Sequence, residues 1–294
     1  MTLRSSALIL AFLLALSSGA SAQRPAWRVF VTAAGDHDAP VKDLTPADVV
    51  VKEDGNTREV LSVAPATGPM QIVVLVDDDG TGVFRFGLEQ FAQLMQGRAS
   101  ISMRIIRGQV QEAFGFTADA DRWMAGFRQM GVRPSTPGGG QLIEGIHGAA
   151  RDLLQREAER PVIIALTTGN GEQSPRRSDE VLKALRESRA SLHVVYATSP
   201  RPLAVATRPS DLLEGDFELD QVLSDGPKES GGVRRDVIAS GAIRNEVQLI
   251  ARDLLNQLAV TYARPDRWDP PRRLGVSTPR KGVKLTAPTR APIR

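Results

Sequence analysis

The chain has 294 residues, of which 41% are hydrophobic and 24% charged, so it can build a packed core and is not an intrinsically disordered protein. Its net charge of +3 at pH 7 is small, so the overall charge does not suggest nucleic-acid binding. It contains no cysteine, which excludes thiol catalysis, zinc–thiolate centres and iron–sulfur clusters.

Residues 1–22 have the pattern of a signal peptide. Arg4 supplies the positive start, Ala7–Leu16 is an apolar run too short to span a bilayer comfortably, and Ala20-Ser21-Ala22 fits a signal-peptidase site. The pattern predicts cleavage after Ala22 and an exported protein, either periplasmic or extracellular. The alternative interpretation is a buried N-terminal helix. Because no second long apolar run follows, we expect no membrane span.

Short strands and turns dominate the two ends of the remaining chain. Residues 23–68 contain the alternating stretch "WRVFVTA" and two further strand candidates around an Asp54-Gly55 hairpin signal. Three strands make a thin core, so this N-terminal β module needs partner strands. Residues 241–294 start with a helical pattern and end in three strand candidates. We therefore expect this C-terminal segment to pair with residues 27–68.

Residues 69–198 alternate apolar strands with amphipathic helices. The stretches "QIVVLV" and "PVIIALT" are apolar throughout, as expected for strands that are buried on both faces. This order predicts an α/β fold with a Rossmann-like, doubly wound, mostly parallel sheet. Residues 199–240 lack periodic hydrophobicity and are rich in proline, glycine and charge, which predicts a flexible connection.

Polar residues follow two of the predicted strands, and a glycine-rich segment precedes a predicted helix. In an open α/β sheet, ligands bind at the carboxyl ends of the strands. Asp77–Thr81 ("DDDGT") follows one buried strand, Thr167-Thr168-Gly169 follows another, and Gly138-Gly139-Gly140 precedes a helix. The neighbouring carboxylates need a cation, hydrogen-bond donors or water to offset their repulsion. The three segments together predict a ligand site.

Several stretches give the chain a resemblance to a known family. It is similar to the secreted bacterial proteins with a von Willebrand factor type A-related (vWA-like) domain, often labelled acidobacterial VWFA-related. The resemblance covers nearly the whole chain after residue 22, and "LTPADVVVKEDG" is its most specific piece. The other matching stretches are "QIVVLVDDDGTG", "PGGGQLIEGIHGAARDLL", "VIIALTTGNGE", "ESGG" and "LAVTYARP".

The resemblance implies a non-enzymatic protein that binds a protein or peptide at a metal-ion-dependent adhesion site. Asp77 stands at the first aspartate of that site, Asp79 and Thr81 at its two serines, Gly140 at its threonine and Thr168 at its second aspartate. The site is therefore degenerate, and the five residues are expected to form a binding rim without a cofactor. Mg²⁺ or Mn²⁺ held by Asp77, Asp79 and Thr81 is the alternative. No nucleic-acid partner is implied.

Two other functions remain open from the sequence. "DDDGT" also matches the D-x-D-G-T motif of haloacid dehalogenase-like phosphatases, with Asp77 as nucleophile and Asp79 as general acid/base. "GDFELD", residues 215–220, mimics their Mg²⁺-binding motif, but it follows no apolar strand, and Lys183 lies mid-helix. The third possibility is a purely structural envelope protein. His37, His147 and His193 share no metal-ligand spacing.

Overall fold

The computed structural model describes residues 26–78, 80–130, 139–169, 171–198, 210–265 and 270–293. The strands in these residues are β1 Ala26–Ala34, β2 Val50–Glu53, β3 Asn56–Arg58, β4 Val60–Pro65, β5 Met70–Asp77, β6 Ala99–Arg107, β7 Gln109–Thr117, β8 Arg160–Thr167, β9 Ser191–Ala197, β10 Arg234–Val237, β11 Leu258–Ala263, β12 Leu274–Ser277 and β13 Lys284–Thr286. The helices are α1 Arg85–Met95, α2 Ala120–Arg128, α3 Leu142–Gln155, α4 Ser178–Ser188, α5 Ser210–Ser230 and α6 Ser240–Leu255.

A six-stranded sheet in the order β10-β9-β8-β5-β6-β7 forms the centre of the molecule. All its neighbouring strands are parallel except β6 and β7, which form an antiparallel edge. Along β5, Ile72 and Val74 point into one apolar cluster while Val73 and Leu75 point into another. Helices α1, α2 and α6 cover the first face and α3, α4 and α5 cover the second. The predicted doubly wound, mostly parallel sheet is confirmed.

The two ends of the chain build one β module, which we define as strands β1–β4 and β11–β13. Strand β1 pairs antiparallel with both β11 and β13, and β11 also pairs with β4. A second, three-stranded sheet places β2 between β3 and β12. These sheets share a core that includes Val31, Val51, Val260 and Tyr262. The strands at each end of the chain therefore pair with strands from the other end.

The prediction of a flexible connection over residues 199–240 is wrong where the structure describes it. Residues 210–230 form helix α5, and β10 adds a parallel edge strand next to β9. Leu219, Val222 and Leu223 on α5 join the core beneath the sheet. The α/β part therefore does not end at residue 198 but continues through α6. The glycines that suggested a loop are close-packing positions, since a Cβ on Gly226 would lie 2.7 Å from the Leu192 side chain.

Candidate functional site

Asp77 is the last residue of β5 and is only 2% exposed. Thr167, the last residue of the neighbouring strand β8, donates a hydrogen bond from Oγ1 to Asp77 Oδ2 at 2.7 Å. The Thr168 backbone N–H donates to the Asp77 carbonyl oxygen at 3.0 Å. The carboxyl ends of the two strands are thus joined by a side-chain and a backbone hydrogen bond.

Gly140 lies against the same carboxylate. A Cβ built on Gly140 would lie 3.2 Å from Asp77 Oδ1 and 2.5 Å from Ile106 Cγ2, so the position has no room for a side chain. Its backbone bridges to the third segment: Gly140 N–H donates to the Gly171 carbonyl at 3.0 Å, and Gln173 N–H donates to the Gly140 carbonyl at 2.8 Å. The structure therefore brings Asp77, Gly140 and Thr168 together.

The described residues that follow Asp77 in the acidic segment form a turn. Asp78 accepts hydrogen bonds from the backbone N–H groups of Gly80 and Gly82, at 3.0 and 2.9 Å, which stabilises a tight turn after β5. Thr81 is exposed on this turn. Asp79 lies outside the described residues.

Glu172 is a site residue that sequence reasoning missed. Its carboxylate is fully buried and accepts hydrogen bonds from the backbone N–H groups of Ile143, at 3.1 Å, and Ser174, at 2.9 Å. Because Ile143 is in the first turn of α3, the carboxylate also lies at the positive end of that helix. Burial, with a contribution from the Asp77 charge, nevertheless raises the pKa of Glu172 to about 7.

Two further side chains complete the rim. Asp216 on α5 accepts a hydrogen bond from the Glu172 backbone N–H at 2.9 Å, so α5 is anchored to the segment after β8. The Thr168 hydroxyl is buried and has no hydrogen-bond partner among the described residues. No local signal in the sequence pointed to Glu172, whose partner Ile143 lies 29 residues away along the chain, and Asp216 appeared there only as part of the phosphatase-like motif, not as a partner of Glu172.

The described residues do not by themselves form a complete site for a hard cation of the Mg²⁺ type. Such an ion requires several oxygen ligands in near-octahedral geometry. Gly140 offers no side chain and Thr168 offers no charge. Of the three proposed ligands, Asp77 is buried, Thr81 is exposed and Asp79 lies outside the described residues. Within the described part of the chain, no three His, Cys, Asp or Glu side chains are grouped so that they could hold a metal.

The residues of the phosphatase motif are dispersed. Asp220 forms an ion pair with Arg234 at 3.1 Å on the exposed side of α5, and Lys183 is exposed on α4. Asp216 is near the rim but is hydrogen-bonded to backbone. Residues 215–220 lie within helix α5 rather than in a loop at the end of a strand.

No protein family and no curated protein matches the chain. Solved structures do resemble its fold. BatB from Bacteroides thetaiotaomicron is 18% identical with a TM-score of 0.42, over 63% of this chain and 100% of that one. The vWF domain of the type V pili tip protein Mfa5 from Porphyromonas gingivalis is 10% identical with a TM-score of 0.46, over 64% and 95%.

The pilus adhesin SpaC from Lactobacillus rhamnosus GG gives a TM-score of 0.48 at 10% identity, over 89% of this chain and 48% of SpaC. At such identities the similarity concerns the fold alone, and this fold is hosted by proteins of different functions. The function has to be argued from the site itself. None of the described helices combines the length and the apolar character that crossing a bilayer requires.

Proposed function

We propose that this protein is an exported, non-enzymatic binding protein of vWA-like fold. Its contact surface is the rim around the Asp77, Gly140 and Thr168 segments, and its partner is a protein or peptide. The proposal rests on one observation above the others: large apolar side chains are exposed at this edge of the sheet.

Three such side chains lie at the carboxyl edge. Phe86 is in the first turn of α1, just after the acidic segment, and is 54% exposed. Phe217 is 68% exposed on α5, next to Asp216. Ile238, which directly follows β10, is 86% exposed. Exposed aromatic and aliphatic side chains beside a polar centre are typical of protein–protein contact surfaces.

The acidic centre supports binding without a metal. The Asp77 and Asp78 carboxylates accept hydrogen bonds from within the protein, and Gly140 is packed against Ile106. We expect Mg²⁺ or Mn²⁺ in the millimolar range to leave the melting temperature unchanged. A clear rise that Asp77→Ala abolishes would contradict metal-independent binding and place a cation at this edge.

The dispersal of the phosphatase motif supports a non-enzymatic role. Asp220 is paired with Arg234, and Lys183 is exposed on α4. We expect no hydrolysis of a generic aryl phosphate with Mg²⁺ present. Turnover that Asp77→Asn stops would establish the phosphatase instead.

The direct test is chemical crosslinking from the native cell envelope, with three forms of the protein. The wild type is compared with Phe86→Ser/Phe217→Ser/Ile238→Ser, and with Leu61→Ser as control, since Leu61 is similarly exposed (43%) but lies on β4 of the β module. We expect a partner that the wild type and the control capture and the triple variant loses. Equal capture by all three forms would place the contact surface outside the rim, and no capture by any form would favour a structural role. Cell fractionation of the full chain tests export.

A further inference from the structure

A cleft of about 690 Å³ lies on the opposite side of the molecule from the rim, between the β module and the amino ends of β8 and β9. We call it the basal cleft. Arg160, the first residue of β8, lies in it, whereas Thr167 at the other end of that strand contacts Asp77. Its walls include Phe30 of β1 and Leu182 and Leu185 of α4. A volume of this size suits a small organic molecule.

The charges in the basal cleft do not balance. Five arginines and three glutamates line it. Two of the arginines are paired: Arg28 with Glu159 at 3.2 Å and Arg290 with Glu229 at 2.7 Å. The remaining arginines are Arg160, Arg186 and Arg189, against Glu157 alone.

Arg160 holds a fixed, buried positive charge. The residue is 4% exposed, and its guanidinium donates to the backbone carbonyls of Ala66, Gly68 and Leu254 and to Gln257 Oε1, at 2.8 to 3.1 Å. All four acceptors are neutral. Its Nε–H is buried and, among the described residues, has no partner. The neighbouring Glu159 charge, which is itself paired with Arg28, offsets this buried charge only in part, which favours binding of an anion nearby.

Arg186, in the last turn of α4, adds a second positive charge, which Glu229 offsets only in part. Its Nε–H is also buried without a partner in the described part of the chain, and no carboxylate there forms an ion pair with it. Burial, with repulsion from Arg290 and Arg272 that exceeds the attraction of Glu229, lowers the pKa of Arg186. The surroundings of Arg186 are therefore electropositive, as they would be at an anion site.

We infer that the basal cleft binds a small molecule with an oxyanion group, carboxylate or phosphate, on an apolar body. The oxyanion accepts from the guanidinium of Arg186, whose planar fork matches the geometry of both anions, while the charge of Arg160, whose terminal N–H groups already donate within the protein, attracts it at longer range. The apolar body packs against Phe30, Leu182 and Leu185. This site is separate from the rim and does not depend on the proposed function.

Ligand-observed NMR and thermal shift with benzoate, phenyl phosphate and neutral benzamide test the inference. We expect at least one of the two anions to bind roughly tenfold more tightly than benzamide, and their order tells which oxyanion the cleft prefers. Arg186→Gln should weaken that binding tenfold or more, without lowering the melting temperature of the free protein, since it removes repulsion. Arg189→Gln, on the exposed edge of the cleft, should weaken it severalfold.

Arg177→Gln is the matched control, because Arg177 lies just before the other end of α4 and outside the cleft. It should bind the anions like the wild type, as should the triple rim variant. No binding of either anion, or equal binding of benzamide, would overturn the inference. So would unchanged anion binding in both Arg186→Gln and Arg189→Gln.

Discussion

Hydrogen-bond donors offset the repulsion between the adjacent carboxylates after β5. Thr167 donates to Asp77, and the backbone N–H groups of Gly80 and Gly82 donate to Asp78. A carboxylate that accepts such bonds is stabilised in its ionised form without a bound cation. The acidic corner is therefore part of the folded scaffold.

The close packing around Gly140 predicts that a larger residue there lowers the stability of the protein. A Cβ there would lie 2.5 Å from Ile106 Cγ2, so Gly140→Ala should destabilise the protein by about 1–3 kcal/mol in urea unfolding. The control is Gly241→Ala in the first turn of α6, where a Cβ would contact nothing within 4 Å. The control should be neutral or up to about 1 kcal/mol more stable. Equal effects of the two substitutions would show that Gly140 is not sterically required.

Two buried groups, Glu172 and His193, predict opposite pH dependences of the unfolding free energy. Burial raises the pKa of Glu172 to about 7, so its contribution to stability is complete below its unfolded pKa near 4.5 and is lost as pH rises through 7. Burial, with the Arg235 charge, lowers the pKa of His193 to about 3, so its contribution is present above its unfolded pKa near 6.5 and is lost as pH falls. Each group contributes a slope of about 1.4 kcal/mol per pH unit.

Between pH 4.5 and 6.5 these slopes oppose each other, and we expect the pair to add little pH dependence to the unfolding free energy. His193→Leu should leave the Glu172 slope, so stability should rise as pH falls from 7 to 4.5. Glu172→Gln should leave the His193 slope, so stability should fall with pH. Urea unfolding at pH 5, 6 and 7 measures both. Variants that keep the wild-type profile would contradict these assignments.

The sequence predicted part of the site. The end of a buried apolar run placed Asp77 at the carboxyl edge, and the Gly and Thr segments were assigned to the same edge. The hydroxyl that contacts Asp77 belongs to Thr167, one residue before the predicted Thr168, because that contact depends on the strand register. Glu172 could not be predicted, since its role arises only when α3 packs beside the segment after β8.

Helix α5 shows how composition can mislead at the level of an element. Its glycines allow close approach: a Cβ on Gly215 would collide with the Glu172 carbonyl. At an exposed position in a helix, replacing Gly by Ala would stabilise the protein by about 1 kcal/mol, because alanine has the higher helix propensity. The length, order and apolar periodicity of the other helices and of the sheet strands were predictable because burial imposes those patterns. In α5 the glycines and Pro227 obscure that pattern.

Gly215→Ala should therefore destabilise the protein despite the higher helix propensity of alanine. The added methyl group pushes α5 away from the segment after β8 and weakens the Asp216 hydrogen bond to Glu172. Amide hydrogen exchange in α5 should accelerate. Glu214→Ala, at the exposed neighbouring position, should leave exchange in α5 unchanged. Unchanged exchange in Gly215→Ala would contradict the close contact.

A buried ionic cluster holds the β module together at the scale of the whole molecule. Glu53 of β2 is fully buried and accepts from Arg264 Nε at 2.5 Å, Tyr262 Oη at 2.8 Å and Arg58 Nε at 2.9 Å. The Arg264 guanidinium also stacks 3.6 Å above the centre of the Trp27 ring. The cluster thus connects residues from both ends of the chain.

Arg264→Met should leave Glu53 with too few donors and cost about 3–5 kcal/mol in urea unfolding. Residues 27–65 should also become sensitive to limited proteolysis, since β1 depends on β11 for its pairing. Arg280→Met is the control, because its ion pair with Asp43 is exposed and should contribute little. Intact protection of residues 27–65 in Arg264→Met would show that the cluster does not stabilise the module.

The pairing of β1 with β11 sets the order of assembly during biosynthesis. Ala26 faces Ala263 across that ladder, so β1 can pair with β11 only after more than 200 further residues have been synthesised. The central sheet contains only segments that emerge in between, and it can condense first. A chain still being synthesised would therefore carry β1 without its β11 partner until β11 has emerged, and an unpaired strand is prone to pair with other chains.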